Sequence, residues 1–285
     1  MTKSHDEQPP SYDSCVASTS SDPLEEPVLL VLVGQSIRAG SAAGAPLFET
    51  NRGVANLGHA TTCVELRRVE RRVDSSSSSS GGLEAVEDAK EFGGDDGEAA
   101  TTTTPRVKVR RRHVMDLVHP TGKGGTVTSV GEAMTGTPGY YAKPWTKMTY
   151  PGVWGLKKAS SLLGMRGGGG WQVLPVKEKA KYGEPRFEDG KGGVEVLFRV
   201  VKAAGGGSYE WRTGGEGDGR LLAVEELGEG EGEGDDGNGK EHRLRTTTGM
   251  ERSLMDVLVA MWCCRIWEES AAAQPPVHEG LDKGE

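Results

Sequence analysis

Short apolar or alternating runs, typical of β-strands, recur along most of the chain. They are rich in β-branched and aromatic residues, and Gly, Pro or polar stretches separate them. The segment after Arg106 alternates with a period of two, which predicts that Val107 and Val109 point inward and that Lys108 and Arg110 point outward. The predicted strands are 28–33, 47–51, 63–73, 106–118, 153–157, 171–176, 194–201, 209–213, 220–227 and 242–247.

The last apolar segment, residues 253–270, has the length and composition of a helix, with Ser253 as its expected N-cap. Every face of this helix is apolar over residues 257–264, while Asp256 and Arg265 lie nine residues apart and therefore on opposite sides. A helix that is apolar all round lies in a membrane or is enclosed by protein. This helix is too short to span a bilayer, so we expect antiparallel strands to form a closed β-barrel around it.

Composition limits how much of the chain can fold. Gly accounts for 43 of the 285 residues, apolar residues reach only 35%, and residues 75–80 are all serine. These features exclude a coiled coil, a repeat array, a disulfide-rich mini-protein and a protein with several membrane-spanning helices. We expect a folded domain over residues 27–270, flanked and interrupted by disordered segments. These segments are the tails 1–26 and 271–285 and the low-complexity inserts 74–104 and 214–240.

Charge is divided unevenly along the chain, whose formal net charge is −8 at pH 7. Four segments poor in large apolar residues hold 28 acidic and 5 basic residues, which leaves 14 acidic and 29 basic residues elsewhere. They are 1–26, 74–100, 215–240 and 268–285. Two interpretations stay open: the basic part attracts phosphates of nucleic acid or inositol lipids, or the acidic segments neutralise it within the same chain.

The start of the chain and the cysteines predict a reduced, cytoplasmic protein, peripheral at membranes if it binds lipid. Residues 1–10 contain no apolar region of the kind that secretory signals have. The cysteines are Cys15, Cys63 and the adjacent Cys263 and Cys264, and no CxxC motif or Cys/His cluster has zinc-binding spacing. We therefore expect neither a structural metal nor a cofactor.

Seven sequence blocks, in this order, carry a family resemblance. They are GQSIRA (34–39), PLFETNR (46–52), VELRRVE (64–70), RHVMDLVHP (112–120), WGLKK (154–158), YEWR (209–212) and DVLVAMWCCRIWEE (256–269). Together they resemble the tubby C-terminal-like superfamily, and more closely a fungal branch related to the plant LURP-one-related proteins, over roughly residues 30–270. The resemblance implies a closed barrel of about twelve strands around a central hydrophobic C-terminal helix.

The resemblance also implies a non-enzymatic module that binds phosphoinositide or other anionic lipid headgroups, because animal tubby proteins do so through basic barrel residues. The tubby signature motifs are absent, so no lipid site is carried over residue by residue. From the residues themselves, Lys108 and Arg110 have a spacing suited to one phosphate, and Arg112 extends that row. Lys157 and Lys158 form a second basic patch. The alternative for both patches is a solvated strand face.

The N-terminal tail contains a candidate ligand for WW domains. Pro9-Pro10-Ser11-Tyr12 matches the pattern Pro-Pro-x-Tyr. The two prolines favour polyproline II and dock in an aromatic groove, while Tyr12 fills a second pocket. The predicted partner is a WW-domain protein such as a ubiquitin ligase, and the alternative is a Pro-rich tail without a partner.

One enzymatic alternative stays open. The apolar strand leading into Gly34-Gln-Ser36 resembles the opening block of SGNH-type esterases, with Ser36 as nucleophile and Asp116 and His119 as the Asp-x-x-His pair. The chain shows no series of βα units, however, and Asp116 and His119 fall on opposite faces or at a strand end. We therefore expect a protein that is not an enzyme.

Nucleic-acid binding is not expected either. Tyr140 and Tyr141 and the scattered tryptophans are more typical of barrel core than of base stacking. We expect a monomeric binding or adaptor module, with a purely structural or interaction role as the remaining alternative.

Overall fold

The computed structural model describes ten stretches of the chain, and they form fifteen β-strands, one short 3-10 helix and one α-helix. The described residues are 22–73, 107–120, 136–147, 149–159, 170–178, 184–188, 195–204, 207–215, 217–228 and 241–274. The strands are β1 Leu24–Glu25, β2 Leu29–Val33, β3 Ser36–Ala39, β4 Pro46–Thr50, β5 Cys63–Val73, β6 Val107–Val118, β7 Tyr140–Pro144, β8 Trp154–Lys158, β9 Trp171–Lys177, β10 Arg186–Phe187, β11 Phe198–Lys202, β12 Ser208–Thr213, β13 Leu221–Gly228, β14 Glu241–Thr246 and β15 Met250–Glu251. The 3-10 helix is Val54–Asn56, and the α-helix α1 is Arg252–Ala273.

Twelve of the strands close into one antiparallel barrel. Going round the ring, the order is β9, β11, β12, β13, β14, β2, β3, β4, β5, β6, β7 and β8, and β8 then pairs with β9. β10 pairs with the last residues of β9, while β1 and β15 form a separate two-stranded sheet. The expected closed antiparallel barrel is confirmed, and each of its twelve strands pairs with a neighbour on both sides.

Helix α1 fills the interior of this barrel. All eight residues 257–264 are completely buried, so the helix is covered on every face, as its sequence predicted. Asp256 and Arg265 are buried as well, and each meets an oppositely charged strand residue, Arg68 on β5 and Glu225 on β13. The expected enclosure of the C-terminal helix is therefore confirmed.

The start of α1 differs from the expectation. Ser253 is the second residue of the helix, and Glu251 at the N-cap position makes no capping bond with its side chain. Instead, the Ser253 backbone N–H donates to Asp22 Oδ2 at 2.7 Å, and the Arg252 N–H donates to Pro23 O at 3.1 Å. The cap thus comes from a distant segment, which a local capping rule does not detect.

One hairpin extends past the end of the barrel. β5 and β6 pair along their whole length, whereas β4 pairs with β5 only as far as Arg68 and β7 pairs with β6 only as far as Met115. We call residues 69–73 and 107–112 the arm. The arm lies at the end of the barrel that holds the N-terminus of α1, which we call the arm end.

The alternation predicted for the start of β6 is present, but its inward assignment is wrong. Val107 and Val109 are 49% and 50% exposed instead of buried. Both valines lie on the face opposite Arg68, whose side chain reaches Asp256 of the enclosed helix, so they continue the outer face of the barrel. The prediction that Lys108 and Arg110 point outward is wrong for the same reason, because they share the face of Arg68.

Three segments of the fold lie where tail or insert was predicted. The end of α1 is one of them, because the helix continues to Ala273 within the tail predicted over residues 271–285. Leu24–Glu25, within the predicted tail 1–26, pairs with Met250–Glu251. Leu221–Gly228 forms β13, which confirms the strand predicted over residues 220–227 although the insert predicted over 214–240 covers the same residues. Glu225 of this strand is buried against the helix. The acidic composition of this segment favoured an insert, but Glu225 is accommodated inside the barrel because it pairs with Arg265. The remaining predictions for tails and inserts concern residues 1–21, 74–104, 216, 229–240 and 275–285, which lie outside the described residues.

Candidate anion-binding site on the arm

The arm presents a row of basic side chains on one face. Residues directly paired across two antiparallel strands point to the same side of the sheet. The pairs that form this face are Lys108–Arg72, Arg110–Glu70 and Arg112–Arg68. The three residues predicted to form a row on β6 therefore share a face with two arginines and one glutamate of β5. We call this surface the basic face.

Bases outnumber acids strongly in and beside the arm. Residues 67–72 and 107–112 contain eight Lys or Arg and a single acidic residue, Glu70. Among the described residues, Arg71, Arg72 and Arg110 have no carboxylate within salt-bridge distance. Their charge is therefore available to an anionic ligand, and the neighbouring cations make the local potential more positive.

Arg68 anchors the inner end of the basic face to the helix. Its Nε and Nη2 donate to Asp256 Oδ1 at 2.9 and 2.7 Å, and its Nη1 donates to Glu25 Oε1 at 2.9 Å. The guanidinium carbon also lies 4.8 Å from the centre of the Phe48 ring. Arg68 is thus occupied by structural contacts.

Burial raises the pKa of Asp256 from 3.8 to about 6, even though the adjacent Arg68 favours the charged carboxylate. Asp256 is therefore ionised and paired at neutral pH. Below about pH 6 the carboxyl takes up a proton, and the positive charge of Arg68 then adds to that of the basic face.

Exposure increases outward along the row. Arg112 is half-buried, and its Nη2 donates to Thr146 Oγ1 at 3.1 Å. Arg110 and Lys108 are exposed. The part of the basic face that a ligand can reach accordingly begins at Arg112 and consists mainly of Arg110, Lys108 and Arg72.

The opposite face of the arm has a different character. It holds the pairs Arg71–Val109 and Val69–Arg111. Arg111 Nε donates to Glu49 Oε2 at 2.6 Å, and this carboxylate raises the pKa of Arg111. The opposite face thus combines exposed Val107 and Val109 and buried Val69 with Arg71 and with Arg111, whose guanidinium already has an acidic partner.

Exposed apolar side chains collect at the arm end. Among the described residues, the most exposed large apolar side chains are Leu24 (72%), Trp145 (61%), Val109 (50%) and Val107 (49%). Trp145 directly follows β7, and its ring stacks on His113 with centroids 4.4 Å apart. Leu24 and Trp145 beside the bases are typical of a surface that contacts a membrane interface, whereas Val107 and Val109 lie on the face opposite the basic row.

The second predicted patch lies at the opposite end of the barrel. Lys158 Nζ pairs with Glu268 Oε1 at 2.7 Å, near the C-terminal end of α1. Lys157 Nζ lies 5.5 Å from the centre of the Phe187 ring. Because Glu268 is twelve residues from Asp256, the two patches are separated by roughly 18 Å along the helix axis. The structure therefore does not join them into one site.

The residues of the esterase alternative are not brought together. Ser36 begins β3, a barrel strand, whereas a nucleophile of that kind is presented at a strand-to-helix turn. Asp116 Oδ1 pairs with His113 Nε2 at 2.9 Å, not with His119. His119 Nδ1–H donates to Gly139 O at 2.7 Å, and burial lowers the pKa of His119. Within the described contacts, neither residue reaches Ser36.

Sequence reasoning missed Arg71, Arg72 and Trp145 as members of this surface. The arginines follow the block 64–70 and are equally basic, so the signal was present in the sequence. What was missing was the pairing of β5 with β6, which places Arg72 beside Lys108. Trp145 gave no signal, because an isolated tryptophan in a barrel sequence is usually buried.

Other kinds of site find no support in the described ranges. No group of three or more His, Cys, Asp or Glu side chains there is placed to hold a metal ion. Cys63, Cys263 and Cys264 are free thiols, and burial raises the pKa of Cys263 to about 12. No helix among the described residues is both long enough and apolar enough to cross a bilayer.

Comparison with known proteins gives no assignment: no family model, curated protein or solved structure matches this chain.

Proposed function

We propose that this chain is a non-enzymatic binding module that recognises phosphoinositide or other anionic lipid headgroups through the basic face of the arm. The observation that carries the proposal is the exposed row of Lys108 and Arg110 with Arg72 across from it. Clusters of Lys and Arg bind phosphate oxygens through charge-assisted hydrogen bonds. A paired hairpin holds these side chains close together before a ligand arrives, which lowers the entropic cost of binding.

We further propose membership of the tubby C-terminal-like superfamily, near the LURP-one-related proteins. The twelve-strand ring closed around a C-terminal helix supports this assignment, because it is the architecture that the sequence resemblance implied. The seven blocks that carry the resemblance lie, in chain order, on β3, β4, β5, β6, β8, β12 and α1.

The proposal places the protein in the cytoplasm as a monomer that is peripheral at membranes. Two copies meeting at their arms would bring like charges together, which supports a monomer. Leu24 and Trp145 at the arm end are suited to contact the interfacial region of a bilayer while the bases meet its headgroups.

We also propose that the N-terminal tail of the chain is a ligand of a WW-domain protein such as a ubiquitin ligase. Pro9, Pro10 and Tyr12 lie outside the described residues, so the support is the sequence motif. Asp22, the first described residue, caps α1 at the arm end. Asp22 itself therefore lies at the same end of the barrel as the basic face.

Vesicle co-sedimentation at low and physiological salt, with and without phosphoinositides, tests the headgroup proposal. We expect binding that depends on phosphoinositide and persists at physiological salt. Lys108→Glu combined with Arg110→Glu should weaken it by about 30-fold or more, since each basic side chain near a membrane contributes about 1 kcal/mol.

Lys157→Glu combined with Lys158→Glu is the matched control, because it changes the charge equally at the opposite end. It should leave vesicle binding within about twofold of the unaltered protein, since a flat membrane at the arm end does not reach these residues. Loss of binding in this variant alone would move the site to the second patch. Binding to all anionic vesicles that disappears with salt would reduce the proposal to nonspecific charge attraction.

A further inference from the structure

The outer edge of β6 in the arm has no strand beside it in the described part of the chain. β6 pairs with β5 on one side throughout, but β7 reaches it only from Met115 onward. Among the described residues, the last backbone hydrogen bond on that side runs from the Trp145 N–H to Val114 O at 2.9 Å, and beyond it the side chain of Arg112 contacts Thr146. The backbone of residues 107–112 therefore presents an edge to which an extended segment can add.

The side chains along this edge alternate in chemistry between the two faces. Lys108, Arg110 and Arg112 lie on the basic face, and Val107 and Val109 lie on the other face, about half exposed. A strand that pairs with β6 places its own side chains alternately beside these two sets. The edge therefore determines which kinds of side chain an added strand needs on each of its two faces.

We propose that this edge binds an extended segment of another protein in which acidic and apolar residues alternate, added to the sheet as a further strand. The acidic side chains of that segment lie beside Lys108, Arg110 and Arg112. Its apolar side chains lie beside Val107 and Val109 and cover them from water. Backbone hydrogen bonds supply affinity, and the two rows of side chains supply the specificity.

Two other occupants fit this edge less well. A second copy of this chain would set its basic row beside an identical one, and like charges directly opposite each other destabilise a sheet. A membrane contacts one face of the arm at a time, so it does not use the bases and the valines together. An added strand lies in the plane of the sheet and meets both rows at once.

This inference goes beyond the proposed headgroup function, although both use Lys108 and Arg110. The valines and the backbone edge belong to the strand site alone. That difference allows the two proposals to be tested separately.

The experiment uses the full chain and a fluorescent peptide of about eight residues that alternates Glu and Val, with fluorescence anisotropy as the readout. The control peptide has the same composition with all Glu residues followed by all Val residues. We expect the alternating peptide to bind at least about tenfold more tightly. Hydrogen exchange should show new protection of the amides of residues 107–112 when it binds. Equal affinity for the two peptides, or no new protection, would overturn the proposal.

Val107→Ser combined with Val109→Ser should weaken binding of the alternating peptide by about tenfold and leave vesicle co-sedimentation unchanged. Lys108→Glu combined with Arg110→Glu should weaken binding to both probes. Undiminished peptide affinity in the valine variant contradicts the strand proposal without affecting the headgroup proposal. Absence of vesicle binding by a chain that binds the alternating peptide contradicts only the headgroup proposal.

Discussion

Inside the barrel, Arg265 and Glu225 form an ion pair in which each side chain is only 1% exposed. Arg265 Nε donates to Glu225 Oε2 at 2.7 Å, and Trp211 Nε1 donates to the same oxygen at 3.4 Å. The ring centre of Tyr209 lies 4.8 Å from the guanidinium carbon. Burial raises the pKa of Glu225, while Arg265 favours its charged form. A completely enclosed helix tolerates a charge here because that charge has a partner.

Glu225→Gln should destabilise the protein by about 3–5 kcal/mol, because it leaves the buried Arg265 without its main counter-charge. The free energy of unfolding in urea measures this effect. Glu269→Gln is the matched control, since Glu269 binds the same arginine but its side chain is 45% exposed. It should cost less than about 1 kcal/mol. Equal losses in the two variants would show that Glu225 is not the principal partner of Arg265.

At the scale of elements, α1 and the arm illustrate two different consequences of the barrel. α1 lies inside it, so its sequence is apolar on every side. β5 and β6 are longer than their outer neighbours, so their ends leave the barrel and expose both faces. An alternation of apolar and polar residues therefore indicates a half-buried strand within the ring. In the arm, beyond the ring, the same alternation occurs in strands whose two faces are both exposed.

Val259→Asp should abolish the fold, because Val259 is completely buried in α1 and an unpaired charge there costs several kcal/mol. Far-ultraviolet circular dichroism and amide NMR dispersion measure the outcome. Ala272→Asp introduces the same charge at an exposed position of the same helix and should leave the protein folded. A well-folded Val259→Asp protein would contradict the enclosure of the helix.

At the scale of the whole molecule, the two ends of the barrel have different properties. The arm, Trp145 and the cap of α1 by Asp22 lie at one end, and the pair Lys158–Glu268 lies at the other. Asp22, the first described residue, therefore lies at the same end of the barrel as the basic face.

Tyr12→Ala should remove capture of the full chain by immobilised WW domains, because the tyrosine fills one of the two pockets that recognise the motif. Ser11→Ala changes the neighbouring position, where the motif accepts any residue, and should leave capture intact. Capture that survives Tyr12→Ala would show that another segment binds the WW domain.

The sequence by itself determined the strand-rich fold and the enclosure of the last helix, because both follow from local periodicity. Period-two runs separated by turn residues specify strands, and a short helix without a polar face requires a protein shell. The sequence also placed Lys108, Arg110 and Arg112 on one face, since side-chain alternation is a property of the strand itself.

Only the tertiary structure decided the rest, because the decisive contacts join residues far apart in the chain. The cap of Ser253 by Asp22 spans 231 positions, and the pair Arg68–Asp256 spans 188. Where β4 and β7 stop determines which residues form the arm, and the register of β5 with β6 determines that Arg72 adjoins Lys108. Strand lengths relative to their neighbours are set by packing around the closed ring, and local sequence preference does not contain that information.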